Sequence, residues 1–166
     1  MNHTPRTRFT TAIAFLASLF ITTCAFATDN YAYGADEYVT VARGLSPDGK
    51  FAITAHGGGE DGYDHFHIYL TDARTGKKIG PLEEISKILD TGAGSYAAKW
   101  SADSRKVTIV WRWSRHDPFL SITYRIEGRR AIPLTKAPVD SDALGSYWSA
   151  NCSEDHPTPR RFGTPK

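Results

Sequence analysis

The chain has 166 residues, 40% of them hydrophobic and 23% charged, with a formal net charge of +2 at pH 7. Arg6 and Arg8 in the first 27 residues account for that surplus, and the remainder of the chain carries eighteen basic and eighteen acidic side chains, so nothing in the balance draws the protein to nucleic acid or to an acidic membrane surface. The 139 residues after position 27 suffice for one domain with a real core.

Residues 1–27 read as a targeting segment. Arg6 and Arg8 make a basic start, Thr11 to Thr22 is mostly apolar and uncharged, and Ala25-Phe26-Ala27 has the small-x-small pattern of a signal-peptidase site, which predicts cleavage after Ala27. The apolar run falls short of the ~20 residues that span a bilayer, and no other stretch approaches that length. The expected product is secreted or periplasmic and not an integral membrane protein. Cys24 offers a lipoprotein alternative, but Thr23 stands where such signals carry Ala or Gly, so the free form is the expectation. Cys152 is then the sole remaining cysteine, and packing rather than a disulfide must hold the fold.

The next signal along the chain is a repeat. SPDGKFAIT (46–54) matches SADSRKVTI (101–109) at an offset of 55, and IYLTDARTGKKIGPL (68–82) matches ITYRIEGRRAIPL (122–134) at an offset of 52 by its end. A period near 50 made of short strands predicts two similar β-units over about 37–82 and 95–134. In the first unit, strands are expected near 37–43, 51–56, 65–71 and 77–82. In the second they are expected near 95–100, 106–113, 119–126 and 129–134. Phe51, Ile53 and Ala55 alternate onto one face, as do Val107, Ile109, Trp111 and Trp113. Ser46-Pro47-Asp48-Gly49 has type I turn chemistry, with glycine ready for a left-handed conformation. Its second copy puts Ser104 in the place of Gly49, which predicts strain. Ile85, Ile88 and Leu89 fall at helical spacing and predict a short linking helix over 83–90. Farther on, 141–150 is expected to form a helical turn that lays Tyr147 and Trp148 on the core, and 153–166 a disordered tail.

Leu45-Ser46-Pro47-Asp48-Gly49-Lys50, with an alternating strand after it and then Asp72 to Lys77, resembles the β-propeller repeat of TolB-type and WD-repeat-like proteins; Trp100 to Arg105 matches in part. The resemblance covers roughly 37–134 and implies two propeller-blade-like, four-stranded antiparallel meanders in an all-β fold. Propellers close a ring from about 4–8 blades. With two units, the apolar faces are expected to pack on each other as a sandwich in a monomer.

HGGGEDGYDHFHIYLTD (56–72) holds three of the six histidines. His65, His67 and Tyr69 alternate away from Phe66, Ile68 and Leu70, and a hairpin over 57–64 would put His65 opposite His56. Three imidazoles so placed have the geometry of a zinc or copper site with one open position. His56-Gly57-Gly58-Gly59 also resembles the oxyanion loop of lipase-like esterases, but the Gly-x-Ser-x-Gly nucleophile elbow is missing and no catalytic pair is evident. No enzymatic activity and no resident cofactor are expected. The favoured reading is a non-catalytic binding module with a protein or carbohydrate partner in the cell envelope. Tyr63 on the first long loop and Trp113, Arg115 and His116 on the second would make the contact. The alternative is a metal-binding protein using His56, His65 and His67.

Overall fold

A computed structural model describes residues 31–86, 88, 90–114, 116–152 and 159–166. The targeting segment 1–27, its Cys24, and Arg115 lie outside the described residues. The first meander comprises β1 (Tyr38–Leu45), β2 (Phe51–Gly58), β3 (Asp64–Asp72) and β4 (Lys78–Pro81). The second comprises β5 (Ala97–Trp100), β6 (Lys106–Arg112), β7 (Phe119–Glu127) and β8 (Arg130–Pro133). Every strand begins and ends within two residues of the expected positions. Short alternating runs bounded by turn residues leave little latitude.

The two repeated turns have one geometry. Ser46 Oγ donates to Asp48 Oδ1 at 2.8 Å and Ser101 Oγ to Asp103 Oδ1 at 2.6 Å. The Lys50 and Arg105 amides donate to those same carboxylates at 3.1 and 3.0 Å. Those bonds hold both Asp48 and Asp103 below their ordinary pKa. Gly49 takes φ 68° and Ser104 takes φ 58°, so the serine bears the strain that its Cβ imposes in the left-handed region. The two turns also touch, with the Asp48 amide donating to Ser104 Oγ at 3.0 Å.

The meanders join edge to edge. β1 and β5 pair in parallel at Ala42 and Ala97, so the strand order is β4-β3-β2-β1-β5-β6-β7-β8. β4 and β8, at the two ends of that order, approach each other, and the sheet curls into a nearly closed barrel. The apolar faces meet as expected, but within one curled sheet rather than between two separate layers. The two halves meet where the Ala42 amide of β1 donates to the Tyr96 carbonyl at 3.0 Å, which makes one continuous sheet of them. One core takes Val41, Ile53 and Ile68 from the first meander and Ile109, Trp111 and Ile122 from the second.

Three further expectations need correction. No helix forms among the described residues of 83–90. The chain instead turns on bonds from the Leu82 amide to the Ile68 carbonyl at 2.7 Å and from the Ile85 amide to the Leu82 carbonyl at 3.1 Å, which drive Leu82 and Ile85 into the core. A short α1 (Gly145–Asn151) does carry Tyr147 and Trp148, but it covers the outer face of the second meander rather than the shared core: Tyr147 Oη donates to the Ala98 carbonyl at 2.8 Å and Trp148 Nε1 to the Ser95 carbonyl at 2.9 Å. The end of the chain is ordered where it is described. After β9 (Val139–Asp140), which pairs with β7, β10 (Arg161–Phe162) returns to pair with β1 and seats Phe162 in a second small cluster with Ala52, Ala73 and Tyr38. One aromatic and one ion pair supply anchorage that the polar composition of the tail conceals. Among the described residues no helix is long and apolar enough to cross a membrane.

Candidate binding surface at one end of the barrel

Because β1 and β5 run parallel and each is followed by an antiparallel partner, the β2–β3 and β6–β7 loops emerge at the same end. The two Ser-x-Asp turns lie at the other. Tyr63 and Trp113, on those two loops, are among the large hydrophobic side chains left exposed, at 48% and 54%. His116 is exposed on the second loop as well. β2 and β6 are three strand spacings apart in the order, roughly 14 Å along the sheet.

The first loop is packed rather than loose. A Cβ at Gly57 or at Gly62 would collide with the backbone of Gly62 or of Tyr31, and Gly62 has φ 72°. The glycines therefore let the loop tuck beneath the N-terminal stretch. Thr91 ties both down: its Oγ1 donates to the Asp61 carbonyl at 2.6 Å and accepts from the Tyr31 amide at 2.7 Å. The base of the second loop is set by Arg112, whose guanidinium lies 5.6 Å from the Phe119 ring and 4.9 Å from the Trp148 ring, at the range of cation–π attraction.

The histidines fall in a different register from the one the spacing predicts. His56 pairs with His67, and Thr54 with Tyr69. The next pair toward the loop is Gly58 with Asp64, so His65 and Phe66 together face Gly57 in a β-bulge. His65 is exposed with φ 53°, turned out of the ladder. His56 is engaged elsewhere: Nδ1 lies 2.6 Å from the Glu37 carbonyl oxygen, and the ring stacks on Tyr38 with centroids 4.5 Å apart. His67 Nδ1 is 3.9 Å from a Glu83 carboxylate oxygen. Among the described residues no three His, Cys, Asp or Glu side chains are grouped as a metal ion would require. His56 faces a residue two positions further on than expected: the Gly58–Asp64 pair already sets the register one residue later, and the bulge adds the second.

Elsewhere burial shifts one thiol and several phenols. Burial pushes the Cys152 thiol up to about 12, with the charge of Asp90 adding to it, so the thiol stays protonated at neutral pH. Burial likewise raises Tyr33 and Tyr96, and it raises Tyr124, whose hydroxyl donates to Glu84 Oε2 at 2.9 Å.

A polar network near the start of β1 has no counterpart among the sequence expectations. Glu37 has no exposed surface. Its carboxylate accepts from the Gly34 amide at 3.0 Å, from Tyr31 Oη at 2.8 Å and from Arg161 Nη1 at 2.8 Å. Burial alone would raise this group, but the Gly34, Tyr31 and Arg161 bonds more than offset it and hold the carboxyl below its ordinary value. Glu37 and Arg161 lie 124 positions apart, and no local pattern connects them. Comparison with protein-family models, with curated proteins and with solved structures finds no match to this chain.

Proposed function

We propose that the chain is a non-catalytic binding module, secreted or periplasmic, that meets a protein or carbohydrate partner of the cell envelope at the loop end of the barrel. One observation carries this reading: Tyr63 and Trp113, from equivalent hairpins of two similar units, are both exposed at the same end of one rigid sheet. Exposed aromatics on loops set by a firm scaffold are the usual material of contact residues, because they bring large area at small entropic cost. His116 is exposed on the same loop as Trp113, with Arg115 next to it in sequence, which suits a partner with polar or acidic groups at its rim. The propeller-like turn chemistry supports the scaffold half of this proposal and is silent on the partner.

The test uses residues 28–166 immobilised against envelope proteins and a panel of glycans. Trp113→Ala and Tyr63→Ala should each weaken the retained partner at least tenfold while the melting temperature stays put. Full retention by both variants would refute the loop-end site. Titration of zinc or copper into metal-free protein covers the alternative: heat at micromolar metal that disappears in His67→Ala would favour metal binding through His56, His65 and His67.

A further inference from the structure

The C-terminal segment is held against the first meander the way a peptide ligand is held. Tyr38 pairs with Phe162 and Val39 with Arg161 in an antiparallel ladder. Just beyond, the Thr40 amide donates to the Arg160 carbonyl at 2.9 Å, and the Arg160 amide donates to Thr40 Oγ1 at 2.8 Å. Phe162 is only 8% exposed, seated among Tyr38, Ala52 and Ala73. Gly76 of the β3–β4 turn closes over it so tightly that a Cβ there would lie 2.8 Å from the Phe162 Cβ. Gly163 takes φ 81° against Asp36, where a side chain would collide with backbone. The next amide, of Thr164, donates to Asp36 Oδ1 at 3.1 Å.

The receptor side is specific in its chemistry. Glu37 is an anion without exposed surface, and Arg161 is the cation that meets it. Removing that guanidinium would leave a buried carboxylate without its counter-charge, the costly half of a broken ion pair. The β1 edge therefore asks for arginine at one position. The Phe162 pocket asks for an aromatic at the next, and the close approach to Asp36 asks for glycine after that. The ladder itself spans only two residues of β1, so these side-chain demands rather than main-chain pairing set the choice.

We propose that the edge of β1 is a strand-addition groove for a protein partner that presents an extended Arg-aromatic-Gly segment, and that residues 161–163 of this chain occupy it as a tethered competitor. The proposal does not rest on the loop-end reading. A partner engages the groove by displacing the tail. A competitor on a short tether acts at an effective concentration on the order of millimolar, so the groove answers weakly to a free peptide until the tail loosens.

The experiment keeps the full chain. A fluorescein-labelled peptide of residues 159–166 is titrated, by anisotropy, into the unsubstituted protein and into the Arg161→Ala/Phe162→Ala double variant. The double variant should bind the peptide at least tenfold more tightly. A peptide carrying Arg161→Glu should not bind, and adding Glu37→Gln to the double variant should weaken binding at least tenfold. Equal affinity for both chains, no binding to a folded double variant, or indifference to the arginine would overturn the proposal. Should circular dichroism show the double variant unfolded, hydrogen exchange on the unsubstituted chain with millimolar peptide decides instead. The amides of 161–164 should then exchange at least fivefold faster while those of β1 stay protected, and unchanged exchange in the tail would overturn the proposal.

Discussion

The two meanders use one set of turns but differ in the ladders between them. In the second, β5–β6 and β6–β7 pair without a break, from Ala97–Val110 to Trp100–Val107 and from Lys106–Arg125 to Arg112–Phe119. In the first, all three ladders slip: between Thr40 and Leu45 in β1, between His56 and Gly58 in β2, and between Leu70 and Thr71 in β3. Arg43 and His65, at two of these slips, take φ 55° and 53°. Bulges bend and twist a strand, so the first meander supplies curvature while the second is the regular wall. Both proposed binding surfaces involve the irregular half: it carries the packed loop with Tyr63 and the groove along β1. The outer faces differ too, with the tail covering the first meander and α1 covering the second.

Cutting into the shared core gives the largest expected effect. Trp111→Ala should lower the unfolding free energy by about 3–5 kcal/mol. Because Trp111 lies in one cluster with Ile53 and Ile68, calorimetry should still show a single transition. Two transitions would mean that the meanders are separate units after all.

Next comes the buried carboxylate. Arg161→Ala should cost about 1–3 kcal/mol in urea unfolding. That is less than a fully buried pair would lose, because the Arg161 side chain is 39% exposed. The exposed pair of Arg129 with Asp72, which links the two outer hairpins at 2.7 Å, should matter less, and Arg129→Ala should give the smaller shift in melting temperature. The pH dependence has a fixed sign. A carboxyl whose folded value is depressed stabilises fully above its unfolded value of about 4.5, and that contribution is lost as pH falls through the folded value. The stability gap between the unsubstituted protein and Glu37→Gln should therefore be open at pH 7 and close below about pH 4.5. A gap that persists at pH 2 would assign the loss to packing instead.

Smaller still is the turn comparison. Gly49→Ala should cost about 1 kcal/mol, since a Cβ at φ 68° is strained. Ser104→Gly should move the midpoint of thermal unfolding less, because relief at φ 58° offsets the lost bond between Ser104 Oγ and the Asp48 amide. Equal effects at both sites would show that the turns are not balanced in this way. At the small end, Trp113→Ala should change stability by no more than about 0.5 kcal/mol, as expected of an exposed side chain away from the core.

The eight strands of the meanders were legible because alternation and turn chemistry are local. The repeat was legible at its turns but misleading in its strands. At an offset of 55, Phe51 matches Lys106, yet Phe51 packs against the core and Lys106 is exposed, a one-residue change of phase that turns a strand over. The expected pairing of His56 with His65 was off by two residues, one from the Gly58–Asp64 register and one from the bulge at His65–Phe66, neither of which has a composition signal, and His67 stands opposite His56 instead. Tyr63 lies in the loop expected over 57–64, but the exposure of Trp113 arises because β6 ends at Arg112, one residue short of the strand expected over 106–113, and the role of Arg161 could not be read from a polar, proline-bearing tail.

The sequence by itself determined the eight strands of the meanders, their turns, the two-unit order and the alternation of side chains along those strands, since each depends on neighbours a few residues away. Only the tertiary structure decided that the units join at Ala42 and Ala97, that the sheet curls on itself, and that the C-terminal arginine finds Glu37. Those contacts join positions 55 to 124 residues apart, and their energies come from burial and paired charge, which take values only once the chain has closed.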